Sequence, residues 1–161
     1  MDKVMIKQDA TFEDKWHKLV DVLYGEENYD NPALNHLLTS LDFYNEIRTG
    51  YFEGVVEAFD EQMEEDGVHA TKNAIAESLR YIGADGVADI VSSTLPTLKN
   101  AADKYDRVLA RGEVSHVLQE GYAITFTNVN RKFAHLGDNY LRDKIEDFIK
   151  TRSVVPQYDE L

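Results

Sequence analysis

Apolar residues recur at helical spacing along nearly the whole chain. Thr11, Phe12, Glu13 and Asp14 open a first predicted helix like a capping box with Asp in place of the usual Glu; Phe12, Trp16, Leu19, Val20 and Leu23 form its stripe, and Gly25 ends it. Asn31 and Pro32 signal a second start, cap then first helical position, followed by Leu34, Leu37, Leu38, Leu41, Tyr44 and Ile47, with Gly50 as the stop. Phe52, Val55, Val56, Phe59 and Met63 then share one helical sector, ended by Gly67. Ile75, Leu79 and Ile82 carry a further helix to Gly83, and Asp85 is placed to cap the next, with Val87, Ile90 and Val91 inward.

Beyond this point the punctuation is weaker. Pro96 either starts a new helix or kinks an old one, and Leu98, Ala101, Ala102, Tyr105 and Leu109 keep helical spacing as far as Gly112. Residues 113–136 carry two patterns: Tyr122, Ile124 and Phe126 alternate like a strand, whereas Phe126, Val129 and Phe133 are spaced like a helix, which is the reading taken. Asp138 caps a final helix through Leu141, Ile145, Phe148 and Ile149, and residues 152–161 read as a tail. The expected fold is all-α, one domain over residues 1–161 with about six to eight helices.

Cysteine is absent, which excludes thiol nucleophiles, disulfides and Cys-ligated metal centres. The N-terminal residues lack the apolar core of a signal peptide, and no apolar run suffices for a membrane span, so a cytoplasmic location away from membranes is expected. The C-terminal Tyr158, Asp159, Glu160 and Leu161 superficially resemble an endoplasmic retention tag, which has no meaning without entry to the secretory route.

Net charge is −13 and unevenly spread: residues 101–161 hold 10 acids against 9 bases, so the excess lies in the first two thirds. It is densest over 51–66, where Glu53, Glu57, Asp60, Glu61, Glu64, Glu65 and Asp66 occur with no Lys or Arg. Like charges at 53/57, 57/61, 60/64 and 61/65 repel at i,i+4, at about 0.2–0.5 kcal/mol per pair. Helix stability therefore does not account for the pattern. Four helical residues rise about 6 Å, comparable to the separation of successive phosphates along a nucleic-acid strand, so carboxylates at this spacing can imitate a phosphate row. Such a surface repels nucleic acid and anionic lipid and attracts basic protein patches.

Catalytic signatures are scarce. Glu113 and His116 have the E-x-x-H spacing of di-iron bundles, but those sites need a second copy and two further Glu. Asp66 and His69 are similarly spaced across a helix-breaking Gly67. The histidines His17, His36, His69, His116 and His135 form no H-E-x-x-H pair, no Ser lies in a G-x-S-x-G elbow, and Gly83 to Gly86 matches no phosphate loop. No cofactor, metal or catalytic residue is assigned on this reading. The alternative from another class, a small hydrolase or metal-dependent enzyme using clustered Asp, Glu and His, rests on Glu113 with His116.

Two segments resemble a known family. Leu41 to Phe52, with Glu46, Ile47, Gly50 and Phe52, followed by Ser78 to Ala84 with Leu79, Ile82 and Gly83, is similar to a bacterial family of otherwise unassigned proteins that includes an acidic DNA-mimic protein. In that family an E-V-x-N-G-G-F-x-Q-F-like segment precedes an A-L-x-x-I-G-A-like one, and Asn139-Tyr140 leading to Phe148-Ile149 is similar to its C-terminal helix. The chain departs from the pattern at Thr49, Tyr51 and Gly54, which stand where the family has Asn, Gly and Gln. The resemblance implies an all-helical single domain, often a homodimer, with at least one member that binds a DNA-binding protein through carboxylates. From charge and resemblance together, the expectation is a non-enzymatic interaction protein whose Glu53, Glu57, Asp60, Glu61, Glu64 and Glu65 dock a basic partner, foremost a DNA-binding transcription factor, without binding nucleic acid itself.

Overall fold

The computed structural model describes residues 4–6, 32–113, 115–152 and 158–160. The helix predicted over 11–25 and the cap expected at Asn31 lie outside these residues. Helices dominate: α1 (Pro32–Ala58), α2 (Asp60–Asp66), α3 (Val68–Tyr81), α4 (Asp85–Ala110), α5 (His116–Ala134) and α6 (Tyr140–Arg152). Short strands β1 (Val4–Ile6) and β2 (Tyr158–Glu160) pair in parallel, so part of the expected C-terminal tail is tied to the start of the chain. No helix among the described residues is long and apolar enough to cross a membrane.

The all-helical expectation holds, with slightly fewer independent helices than expected. One reason is that α2 continues the ladder of α1 through Phe59, whose amide bonds Val55 O and whose carbonyl accepts from Met63 N. Another is that the run on either side of Pro96 is a single helix. Proline removes the N–H that would bond Ser92 O, but the turns before it hold firm. There the Ser93 and Thr94 hydroxyls both donate to Ile90 O, and Ser93 also to Asp89 O.

A kink interrupts α1 at Tyr51, whose φ of 57° and ψ of −156° lie in territory that only glycine enters readily. Gly50 was the expected stop; the chain instead breaks one residue later and resumes helix at once.

Tertiary burial follows the predicted stripes. Leu34, Leu37, Leu41 and Ile47 of α1 are buried, as are Phe52, Val55, Val56, Phe59 and Met63 beyond the kink. Ile75 and Leu79 of α3, Val87, Ile90, Val91 and Leu98 of α4, and Leu141, Ile145, Phe148 and Ile149 of α6 complete one contiguous core. Residues 113–136 contribute Phe126 and Val129 from a helix, so the strand-like alternation of Tyr122, Ile124 and Phe126 does not form a strand. Ile124 points outward and Ser115 caps the helix, accepting from Leu118 N. Fully burying a large aliphatic or aromatic side chain contributes about 1.5–3 kcal/mol, so this core is the main support for the helical faces around it.

Candidate functional site: an acidic cleft between three helices

The carboxylates of 53–66 are built on the unbroken ladder from Phe52 to Asp66, which keeps them at helical spacing. Their apolar neighbours Val55, Val56, Phe59 and Met63 face the core and fix the rotation of the helix. Glu53, Glu57, Asp60 and Glu64 are thereby turned towards α4 and α5, while Glu61 and Glu65 lie further round on the outer side.

Between α1, α4 and α5 lies a cleft of about 350 Å³ lined by Glu53, Glu57, Asp60, Asp103, Asp106 and Tyr122, among others. The acidic flank is therefore one wall of a concave site, with Asp103 and Asp106 of α4 supplying charge of the same sign from across it. Tyr122 stacks on Tyr105, with ring centroids 4.7 Å apart, and leans on Phe126. Burial pushes its phenol above the ordinary range, and the charges of Glu53 and Asp106 add to the shift.

Among the described residues one base enters this field, from outside the segment 51–66 that holds no Lys or Arg of its own. Lys99 of α4 is only 4% exposed, and its Nζ donates to Asp60, to Glu64 Oε1 at 2.7 Å and to Asp103 Oδ1 at 2.8 Å. Burial by itself would lower the ammonium's pKa. The hydrogen bonds to Asp103, Asp60 and Glu64 outweigh that and raise it well above the lysine range. The neutralising partner was missed because it lies 35 residues from Glu64 and 39 from Asp60. The i,i+4 pair of Lys99 with Asp103 was nonetheless readable in the sequence.

Glu53 is also engaged, accepting from Asn130 Nδ2 at 2.8 Å. Asn130 Oδ1 in turn takes the Phe52 amide at 2.9 Å, just beyond the Tyr51 kink. This side chain of α5 thus caps the acidic helix and orients its first carboxylate. Nothing in the local sequence of either segment announces the pairing, which spans 78 positions.

Glu57, Glu61 and Glu65 are exposed and make no ion pair among the described residues. They form an exposed row at i, i+4 and i+8 that winds around the helix, from Glu57 at the rim of the cleft to Glu61 and Glu65 on the outer side.

The metal reading finds little support here. Asp60, Glu64 and Asp103 bring carboxylate oxygens within 4.8 Å of one another, but the Lys99 ammonium bonds all three and occupies the place a cation would take. Glu113 lies in the loop before α5 and His116 is that helix's first residue, so the two do not share a helical face. Asp66 and His69 are separated by Gly67, whose φ of 92° turns the chain between α2 and α3. Asp85 begins α4 in its first turn, with Ala84 in the cap position, so its expected capping role is not realised.

No family model matches this chain, and neither a curated protein nor a solved structure matches it at a significant level.

Proposed function

We propose that this is a non-enzymatic acidic interaction protein of the cytoplasm that offers carboxylates to the Lys and Arg side chains of a basic protein partner. Its docking surface is the exposed row Glu57, Glu61 and Glu65 together with the cleft wall of Glu53, Asp60 and Glu64, extended by Asp103 and Asp106. The observation that carries the reading is the exposed row. These carboxylates are exposed and unpaired among the described residues, on a helix whose inner side is pinned by Lys99. The helix beneath the row is fixed by its buried face, so binding has to order only the side chains.

A DNA-binding regulator is the partner class that best suits carboxylates at about 6 Å intervals, because its basic side chains already accept a phosphate row. Binding would then compete with DNA. The long-range field speeds encounter and added salt weakens the complex. The resemblance to a family with a DNA-mimic member points the same way, and the homodimer it implies belongs to the same proposal.

The test is capture from host lysate on immobilised protein at low and high salt, with the triple variant Glu57→Lys, Glu61→Lys, Glu65→Lys beside the wild type. Glu64 is left intact because it bonds Lys99, so a lost interaction cannot be blamed on a disturbed fold. A DNA-binding protein retained by wild type alone and eluted by salt is the expected result. Equal capture by both proteins would sink the proposal. Light scattering of the purified chain decides the homodimer.

A further inference from the structure

A second surface lies on the α4–α5 hairpin. A groove of about 260 Å³ there is lined by Ala101, Lys104 and Tyr105 of α4 and Val117, Leu118 and Gly121 of α5, with others. Its lining is largely apolar and open to solvent. Val117 is 79% exposed and Ile124 59%, and they flank Gly121 at one helical turn on either side.

Gly121 is the feature that needs a reason. Mid-helix glycine costs about 0.5–1 kcal/mol relative to alanine. Its backbone is not in the positive-φ region, and a Cβ built there meets nothing within 4 Å. Neither a turn nor a close approach within the fold calls for it. Its bare backbone forms part of the groove lining.

Charge narrows the occupant. Lys104 forms part of the groove wall; Arg107 follows at i+3 in the last turn of α4 and Arg111 at i+7 is the residue that caps that helix, both beyond the groove lining. All three are exposed and have no ion-pair partner among the described residues. Bases near a helix C-terminus interact favourably with its dipole, by about 0.3–1 kcal/mol. That accounts for their sign and leaves their position along an apolar groove unexplained. A second copy seated symmetrically in the groove would set two such stripes against each other. An extended polyanion, whether nucleic acid or an anionic bilayer, would meet the field of a chain with net charge −13. A short acidic helix meets the same field with far fewer charges of its own, so the nearby bases can outweigh the repulsion.

We propose that the α4–α5 groove binds an acidic amphipathic helical segment of a partner protein, its apolar side chain seated over Gly121 and its carboxylates on Lys104, Arg107 and Arg111. This surface adjoins the carboxylate cleft, with Tyr122 lining both, and takes a partner of the opposite charge. Helix-in-groove recognition of this kind needs an apolar anchor repeated at i and i+4 or i+7 and a flank of complementary charge.

The probe is a synthetic peptide of about 16 residues, long enough for partial helicity, with Leu at i, i+4 and i+7 and Glu on the flanks. Binding is followed by fluorescence anisotropy at low salt, with a Lys-for-Glu version of the peptide as control. The Glu peptide should saturate, and the variant Lys104→Glu, Arg107→Glu, Arg111→Glu should weaken it by at least about tenfold. Gly121→Phe, which fills the groove from an open position, should do the same, and thermal melting of both variants should match or exceed wild type. Failure of the Glu peptide to saturate by about 1 mM, or equal binding to wild type and both variants, overturns the proposal. So does binding to phosphatidylserine vesicles with the same dependence on Lys104, Arg107 and Arg111 when the peptide does not bind, which would assign the surface to a membrane.

Discussion

Asn130 Oδ1 accepts the backbone N–H of Phe52 at 2.9 Å, one residue past the point where Tyr51 breaks α1. A helix that resumes after a break has orphaned amides at its new start, and this side chain satisfies one of them from another helix. Its Nδ2 then holds Glu53, so the position of the first cleft carboxylate depends on α5.

Asn130→Ala should therefore destabilise the fold by about 1–2 kcal/mol, the usual cost of a lost cap and an unsatisfied part-buried amide. Asn130→Asp keeps the acceptor for Phe52, gives up the donor to Glu53, and should recover only part of that loss. Urea unfolding of the three proteins decides the matter; equal midpoints for all would mean that water caps Phe52 as well as Asn130 does.

Tyr51→Gly should raise stability. A non-glycine residue at φ 57°, ψ −156° carries strain of order 1–3 kcal/mol, and Tyr51 is 63% exposed, so little burial is given up in removing its side chain. Tyr51→Ala, which keeps the Cβ, should not share the gain. A thermal melt in which the glycine variant falls below wild type would mean that the tyrosine ring stabilises more than its backbone costs.

Lys99→Met should cost about 1–3 kcal/mol, less than a fully buried ion pair, because the three carboxylates facing it keep contact with water. The pH dependence follows from the direction of the shift: the ammonium's pKa is raised on folding, so its contribution is complete below the unfolded lysine value and is lost as pH climbs beyond it. The wild-type advantage over the methionine variant should be level from neutral pH to about 10 and shrink above that. Urea midpoints across this range check it, and an advantage that grows with alkalinity would contradict the assignment.

Much of the fold was legible because helical periodicity reports burial directly. The stripe from Phe52 to Met63, the α6 residues Leu141, Ile145, Phe148 and Ile149, and the stops at Gly67 and Gly83 all lie where spacing and turn residues put them. Pro96 left two readings open, and the structure takes the one in which an existing helix runs on, since a proline inside a helix removes one bond without requiring a break where neighbouring turns are packed on a core. Leu109 keeps the helical spacing read from the sequence, but on an exposed last turn beyond the core. The break at Tyr51 was not read, since the stop was placed at Gly50 and nothing about a tyrosine announces a positive φ.

The site was read less completely. The acidic residues on one helix were visible in the sequence, but Lys99, Asp103, Asp106, Tyr122 and Asn130 join them only through tertiary packing. A one-helix reading sees a charged flank; the cleft and the buried Lys99 within it need packed helices to exist.

One helix also carries both surfaces. Gly121, on the outer groove, and Asn130, which holds Phe52 and Glu53, stand little more than two turns apart on α5. If both proposed partners bind, one that shifts or stiffens α5 from one side would alter affinity on the other, and by the same factor in both directions. Titrating each partner in the presence of the other would then read a response of the molecule that neither titration alone reports.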